Sequence, residues 1–171
     1  MGIRIDDPSI ELRAKHPHYR GFDLLQGGKT PEMLATAAGE NPFCGDELEV
    51  RLALCRAEAG EWRIAQAAFD GYGCTLCLAA ADAVIEYVTG RSVDEAAAVD
   101  FERTCALLGG LEVGRTRKGC VDLAARVLRV ALDEARETCL LAGPPSVDIY
   151  AKSAGMPGEK AVDRRLASLS Y

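Results

Sequence analysis

The stretch ENPFCGDELEVRLALCR, residues 40–56, carries the clearest secondary-structure signal in the chain. Charged residues at 47, 49 and 51 alternate with apolar residues at 48, 50, 52 and 54, and this period of two predicts a strand with one solvated face and one buried face. Cys44 and Asp46 come just before that strand. They are therefore expected at the end of a rigid element, where functional side chains are often placed.

The composition of the chain is that of an ordinary globular domain. Its 171 residues are 49% hydrophobic and 27% charged, so one domain with extensions is expected. The formal charge is -6, with no basic cluster beyond residues 115–118, which argues against nucleic-acid binding because that binding needs clustered Lys and Arg. The N-terminus lacks an apolar signal core, and no run approaches the ~20 apolar residues of a membrane helix. We expect a cytoplasmic protein without a membrane anchor.

Seven cysteines are many for a cytoplasmic protein, and they stand at positions 44, 55, 74, 77, 105, 120 and 139. An odd number without a secretion signal argues against a disulfide framework. Small buried residues, reactive thiols and metal ligands remain as interpretations. Cys105 and Cys139 lie in helical apolar patterns and are expected to pack. Cys55, at the far end of the first strand, receives no role.

Two flanking stretches predict the neighbours of this strand. TPEMLATAAG, residues 30–39, predicts a short helix with Thr30 as its N-cap and Gly39 as its end. Residues 61–71 predict an antiparallel return strand whose broken alternation indicates a bulge near Ala67 and Ala68.

Helical spacing of apolar residues then replaces the strand pattern. One helix is predicted from Thr75 to Gly90, and a second over 92–108, which begins with a capping box of Ser92 and Glu95. A third helix starts near Cys120 and ends at the Gly-Pro-Pro of 143–145. Strands followed by helices predict an α+β fold rather than a parallel sheet.

Three cysteines share one structural position in this layout. Cys44 precedes a strand, Cys74 lies at the strand-to-helix turn GYGC, and Cys120 lies at the start of the third helix. A helix N-terminus favours negative charge, so we expect lowered pKa values for Cys74 and Cys120 and thiolates able to bind metal or attack sulfur. The separations along the chain match no zinc-finger pattern, so spacing alone does not identify the site.

The sequence motifs around these cysteines resemble those of the U-type iron–sulfur cluster scaffold family, which includes IscU, SufU and the N-terminal domain of NifU. NPFCGDELEVRLAL resembles the family's NP-x-CGD strand entry, and AAFDGYGCTLCLAAADAV resembles its F-x-G-x-GC turn and small-residue helix. RKGCVDLAARVL resembles the helix of the third cysteine. The resemblance covers about residues 41–135 in the family's order.

The resemblance implies a small antiparallel sheet packed against helices, with a metal or cluster site at one exposed end. Its ligands would be Cys44, Asp46, Cys74 and Cys120, which would hold a transient [2Fe-2S] cluster or Zn2+. The implied function is a scaffold that receives sulfur from a cysteine desulfurase and transfers a cluster to apo iron–sulfur proteins. Any of the three cysteines is a candidate persulfide acceptor, so the protein is expected to be a sulfur acceptor more than an enzyme in the usual sense.

Departures from the family pattern keep two alternatives open. Gly119 stands where the IscU branch has a histidine, and three thiols with one carboxylate suit tetrahedral zinc, as in a SufU-like zinc-dependent sulfurtransferase. The insertion usual in that branch is missing. A structural-zinc or plain binding module is the second alternative to the scaffold. The segment LEVGRTRKG lacks a proline-rich chaperone motif, so dependence on a dedicated chaperone is not expected.

Other candidates received weaker interpretations. Cys77 is expected to be a small packing residue, with a spare metal ligand or resolving thiol as alternatives. His16 and His18 are expected to be solvated. Arg117 and Lys118 either stabilise a thiolate or form a solvated face.

The resemblance also suggests how the chain is organised. We divide the chain into an N-terminal extension with a short helix (1–40), a U-type scaffold domain (41–143) and a C-terminal tail with room for one short helix (144–171).

Overall fold

A computed structural model describes residues 2–26 and 30–141. Strands β1 (Met33–Asn41), β2 (Asp46–Arg56) and β3 (Trp62–Tyr72) form an antiparallel sheet in the order β1-β2-β3. The helices of the described residues are α1 (Pro8–Lys15), α2 (Thr75–Val88), α3 (Val93–Ala97), α4 (Phe101–Leu107) and α5 (Lys118–Leu141), with 3-10 turns at Phe22–Gln26 and Arg115–Arg117. The predicted α+β fold with a small antiparallel sheet is confirmed.

The helix predicted over residues 30–39 is wrong, because this stretch forms β1. Buried Ala35 and Ala37 alternate with exposed Leu34 and Thr36. This alternation is typical of a strand, although many residues of the stretch have high helix propensity. Pairing with β2 from Met33 to Asn41 outweighs that propensity. The division drawn at residue 40 stays a prediction, but the first strand of the sheet lies almost wholly before it.

Helix α1 was not predicted, although its start is well marked. Asp7 is its N-cap and accepts a hydrogen bond from the Ser9 amide at 2.9 Å, and Pro8 occupies the first turn. The helix buries Ile10 and Ala14 against α2. Only two residues of α1 are buried, so its sequence shows little apolar periodicity.

A buried carboxylate joins the N-terminal segment to α2. Asp82 is fully buried and accepts hydrogen bonds from Arg13 Nη1 at 3.0 Å and from the Tyr19 amide at 2.9 Å. Arg13 also pairs with Glu86 at 2.8 Å. Residues on both sides of the His16 C-cap are thereby held against the helix that begins at the Cys74 turn.

Helices α2 and α5 cover one face of the sheet. Helix α2 contacts β3, and α5 contacts β1 and β2. The largest side chains of the core come from both layers and include Leu52, Leu54, Phe69, Val84 and Leu128. The alanines of α2 are almost completely buried, which allows neighbouring helices to approach closely.

The bulge in the return strand lies slightly earlier than predicted. Ala53 pairs with Gln66 and Leu54 pairs with Ile64, so Ala65 is the extra residue of β3. The predicted site near Ala67 and Ala68 is regular. The broken alternation of β3 correctly predicted a bulge but not its position.

The predicted helix over 92–108 divides into two. The capping box is confirmed, because the Ser92 hydroxyl accepts from the Glu95 amide at 3.2 Å and the Glu95 carboxylate accepts from the Ser92 amide at 3.0 Å. Asp100 then caps α4 by accepting from the Arg103 amide at 2.8 Å. A second N-cap inside the segment breaks the helix.

Both outer strands of the sheet have backbone groups occupied by other elements. The Glu134 carboxylate of α5 accepts a hydrogen bond from the Thr36 amide of β1 at 2.9 Å. On the opposite edge, the Phe69 amide donates to the Tyr19 carbonyl at 3.0 Å, and the Gly21 amide donates to the Phe69 carbonyl at 2.8 Å. The N-terminal segment thus adds a short parallel bridge to β3.

Helix α5 begins at Lys118, two residues before Cys120. The predicted stop at 143–145 and the tail of 144–171 lie outside the described residues. Across the part of the chain that the structure describes, no helix is both long enough and apolar enough to cross a membrane.

Candidate metal centre

Three predicted ligands meet at one end of the sheet. Cys44 lies in the connection between β1 and β2, Asp46 begins β2, and Cys120 lies in the first turn of α5. One ligand atom of each lies within 4.8 Å of the other two, and Cys120 Sγ donates to Cys44 Sγ at 3.2 Å. The strand entry and the start of the third helix therefore converge as the family resemblance implied.

Cys74 lies at the same end but not within that group of three. It is the N-cap residue of α2, and its backbone amide donates to Asp46 Oδ1 at 2.9 Å. The Cys74 side chain contributes to raising the pKa of the Cys120 thiol. Cys74 thus lies next to the group of three, and the assignment of all four residues as ligands stays a prediction.

A tight turn carries Cys44 outward. The amides of Cys44 and Gly45 both donate to the Asn41 carbonyl, at 3.1 and 2.9 Å. Gly45 has φ +68°, a left-handed conformation that glycine adopts without strain. The turn leaves Cys44 exposed, while Asp46 and Cys120 on either side are buried.

Asn41 is a site residue that sequence reasoning missed. It is 4% exposed, and its Nδ2 donates to Asp46 Oδ2 at 3.5 Å and to Cys120 Sγ at 3.7 Å. These long contacts position the carboxylate and the thiol relative to each other. The available signal was the asparagine of the NPFCGD motif, which we read only for its cysteine and aspartate.

Burial raises the pKa of the Cys120 thiol, and hydrogen bonds with Cys44, Asp46 and Cys74 raise it further. The expectation that a helix N-terminus lowers the pKa of Cys120 is therefore wrong, because desolvation outweighs the helix dipole. Cys120 holds a proton at neutral pH in the metal-free protein. Metal binding must release that proton.

Cys77 lies beneath the site in the core. It is fully buried in α2, and burial raises the pKa of its thiol, with smaller contributions from Asp46, Cys74 and Cys44. This environment is that of a packed residue, as the first interpretation has it. A role as spare ligand or resolving thiol remains an untested alternative.

The remaining candidates lie outside the group of ligands. His16 and His18 are exposed, in keeping with solvated side chains. Lys118 lies over the Phe101 ring, 4.4 Å from its centroid, and Cys105 is half-buried. The side chain of Cys139 lies outside the described residues.

The chain is similar to known proteins in both sequence and fold. Residues 14–139 match the family model of the NifU-like N terminal domain. The iron-sulfur cluster assembly scaffold protein IscU 1 of Archaeoglobus fulgidus is 27% identical over 115 residues, which cover 65% of this chain and 71% of that protein.

Two solved structures share the fold. One is a putative iron-sulfur cluster assembly scaffold protein for the SUF system from Fervidobacterium islandicum, with a TM-score of 0.50 and 22% identity, covering 74% of this chain and 95% of that one. The other is the N-terminal part of a nitrogen-fixing NifU-like protein from Brucella abortus, with a TM-score of 0.52 and 19% identity, covering 78% and 95%. The family match extends over most of the chain and includes every predicted ligand, so the protein belongs to the NifU-like N-terminal domain family.

Proposed function

We propose that this protein is an iron–sulfur cluster assembly scaffold. In this proposal it accepts sulfur from a cysteine desulfurase, assembles a [2Fe-2S] cluster and passes it to apo-proteins. The observation that carries the proposal is the convergence of Cys44, Asp46 and Cys120 within 4.8 Å, with Cys74 beside them, at an end of the molecule where Cys44 is exposed.

This combination of thiolate and carboxylate ligands suits a cluster that must be released to another protein. Thiolates are soft ligands that bind iron–sulfur clusters well, whereas a carboxylate is a harder and weaker partner. Asp46 already accepts hydrogen bonds from the Cys74 amide and from Asn41. These bonds hold the carboxylate in place between the cysteines and compete with its binding to a metal.

Exposure distinguishes the three candidate acceptors of sulfur. A partner approaching from solvent reaches Cys44 first, because Cys74 is half-buried and Cys120 is buried and protonated. The Cys44 thiolate would attack the outer sulfur of the desulfurase persulfide, breaking that S–S bond and releasing the desulfurase thiolate. The product is a persulfide on Cys44, 3.2 Å from the Cys120 sulfur in the present geometry.

The second candidate function is a zinc-dependent sulfurtransferase, and Gly119 favours it. A Cβ at this position would lie 3.2 Å from Asn41 Nδ2, so a larger residue, such as the histidine of IscU proteins, would require the Asn41 side chain to shift by a few tenths of an ångström. Three thiolates and one carboxylate form a four-ligand zinc set. Two thiolates on tetrahedral zinc lie about 3.8 Å apart for Zn–S bonds of about 2.3 Å, so Cys44 and Cys120 would separate slightly on binding.

A purely structural zinc site is the weakest of the three alternatives. Structural zinc sites are closed, and their loss unfolds the domain. Here Cys44 is exposed, and the fold has a large apolar core that extends far beyond the candidate ligands. We also propose a cytoplasmic location, because a reducing compartment keeps such thiols free.

The test is metal and acid-labile sulfide analysis, with an absorption spectrum, of protein purified without oxygen and then given iron, cysteine and a desulfurase. Iron and sulfide in near-equal amounts, lost in Cys44→Ala and retained in the control Cys55→Ala, support the scaffold. Cys55 is a suitable control because it lies near the opposite end of β2. Tightly held zinc with faster desulfurase turnover supports the sulfurtransferase, and zinc without any effect on the desulfurase excludes both.

A further inference from the structure

Two aromatic side chains stand exposed beside the cysteines. Phe43, immediately before Cys44, is 95% exposed, and Tyr72, two residues before Cys74, is 76% exposed. Aromatic residues are enriched where protein partners meet. Their position next to the candidate ligands makes this end of the molecule a candidate surface for contact with a protein partner.

A groove on the solvent face of the sheet reaches the same end. It encloses about 620 Å³, within the range of about 300–1,000 Å³ that ligand sites occupy. Its walls include Phe22, Glu40, Glu47, Glu49, Asp70 and Tyr72. Glu40 and Glu47 are partners in the β1–β2 register, so they flank the base of the turn that carries Cys44.

Ion pairs neutralise two of the four acidic side chains that line the groove. Arg51 pairs with Glu49 at 2.8 Å, and Arg20 pairs with Asp70 at 3.2 Å. Among the described residues, no basic side chain forms an ion pair with Glu40 or Glu47.

Arg126 contacts the backbone of Glu40 but does not neutralise the Glu40 carboxylate. Its guanidinium donates to the Glu40 backbone carbonyl at 3.5 Å and pairs with the carboxylate of Asp122. Like charges directly opposite each other destabilise a sheet. The pair of Glu40 and Glu47 therefore costs stability in the free protein and favours a positively charged occupant of the groove.

We propose that this groove binds an extended, positively charged segment of a protein partner. Lysine or arginine side chains of the segment pair with Glu40 and Glu47, and an apolar side chain packs against Tyr72. The inference rests on the proposed function, because it assigns the surface through which a sulfur donor or cluster acceptor is brought to Cys44. It adds the chemistry of the docking segment.

The probe is a fluorescein-labelled nine-residue peptide with four arginines and one phenylalanine, and the control peptide has glutamate in place of arginine. Binding to the metal-free full chain is measured by fluorescence anisotropy at low and moderate salt. We expect the arginine peptide to bind, and the variant Glu40→Gln/Glu47→Gln to weaken binding about five- to tenfold. Tyr72→Ser should weaken it as well, while more salt weakens binding to the unmodified chain.

A matched control separates this groove from the general negative charge of the protein. The variant Glu58→Gln/Glu137→Gln removes the same charge from two exposed glutamates away from the groove, and its affinity should stay within about twofold of the parent, as distant exposed charges are screened. Amide resonances near residues 47–49 and 70–72 should shift on peptide binding.

Several results would overturn the inference. These are no binding, equal binding of both peptides, equal losses in the two double variants, or resonance shifts confined to other surfaces. Self-association of the parent chain that the Glu40→Gln/Glu47→Gln variant lacks would assign the groove to a second copy instead. Peptide binding without iron and sulfide loading would refute the proposed function alone, whereas loading without peptide binding would refute only the docking site.

Discussion

The ion pair of Arg13 and Asp82 gives a quantitative test of how the N-terminal segment is held to α2. Arg13→Ala removes one hydrogen-bond donor from the fully buried Asp82 carboxylate. Among the described residues, the Tyr19 amide then remains as its donor. Breaking a buried ion pair costs about 3–5 kcal/mol. The Arg13 side chain is 29% exposed, so water replaces part of its contribution, and we expect a loss of about 2 kcal/mol in the free energy of unfolding.

The assay is urea unfolding of the metal-free protein followed by circular dichroism. A double-mutant cycle with Asp82→Asn isolates the pair, and we expect a coupling energy of about 1 kcal/mol or more. Arg4→Ala is the control, because Arg4 and Asp6 form an ion pair with side chains 82% and 68% exposed. Its loss should change stability by less than about 0.5 kcal/mol.

Two outcomes would refute this reasoning. A coupling energy near zero would mean that Arg13 does not stabilise the buried charge. Equal losses for Arg13→Ala and Arg4→Ala would mean that burial of the carboxylate has no energetic consequence, and the attachment of α1 would then depend on apolar contacts alone.

Three further predictions concern the cysteines and the core. Iodoacetamide should modify Cys44 before Cys120, because Cys44 is exposed whereas burial and a raised pKa keep Cys120 protonated; mass spectrometry that finds equal rates would contradict this. Zinc affinity, measured by chelator competition from pH 6 to 8, should rise with pH by about tenfold per unit for each proton released, and Cys120→Ser should reduce this slope; an unchanged slope would mean that Cys120 releases no proton. Phe69→Ala should cost about 3–5 kcal/mol in urea unfolding, against less than about 0.5 kcal/mol for exposed Leu34→Ala; similar losses would show that the core is misassigned.

The sequence predicted the elements whose local pattern and tertiary role agree. Strand β2 alternates from Asp46 to Leu52, and α2 keeps its apolar spacing up to Val88. The capping box at Ser92 is a local interaction that needs no information about distant residues. The three cysteine motifs lie at the ends of such elements, and their convergence at one end of the fold was implied by the resemblance to the U-type scaffold family.

Failures occurred where distant contacts outweighed local preference. Strand β1 is built from residues such as Ala35 and Ala37 that favour helix, and only its pairing with β2 makes it a strand. The raised pKa of Cys120 depends on burial by elements far apart in the chain. Asn41 contacts Cys120, which lies 79 positions away in the sequence, and no local sequence pattern predicts such a contact.

The hydrogen bond from Thr36 to Glu134 has a consequence for how the protein behaves at high concentration. An outer strand with free backbone groups is a template on which another chain can add a strand, and such growth leads to aggregation. Here a side chain from α5 occupies a donor of β1, and residues 19–21 occupy the Phe69 groups of β3. Each outer strand of the sheet therefore has at least one point at which another chain cannot add by continuous backbone pairing.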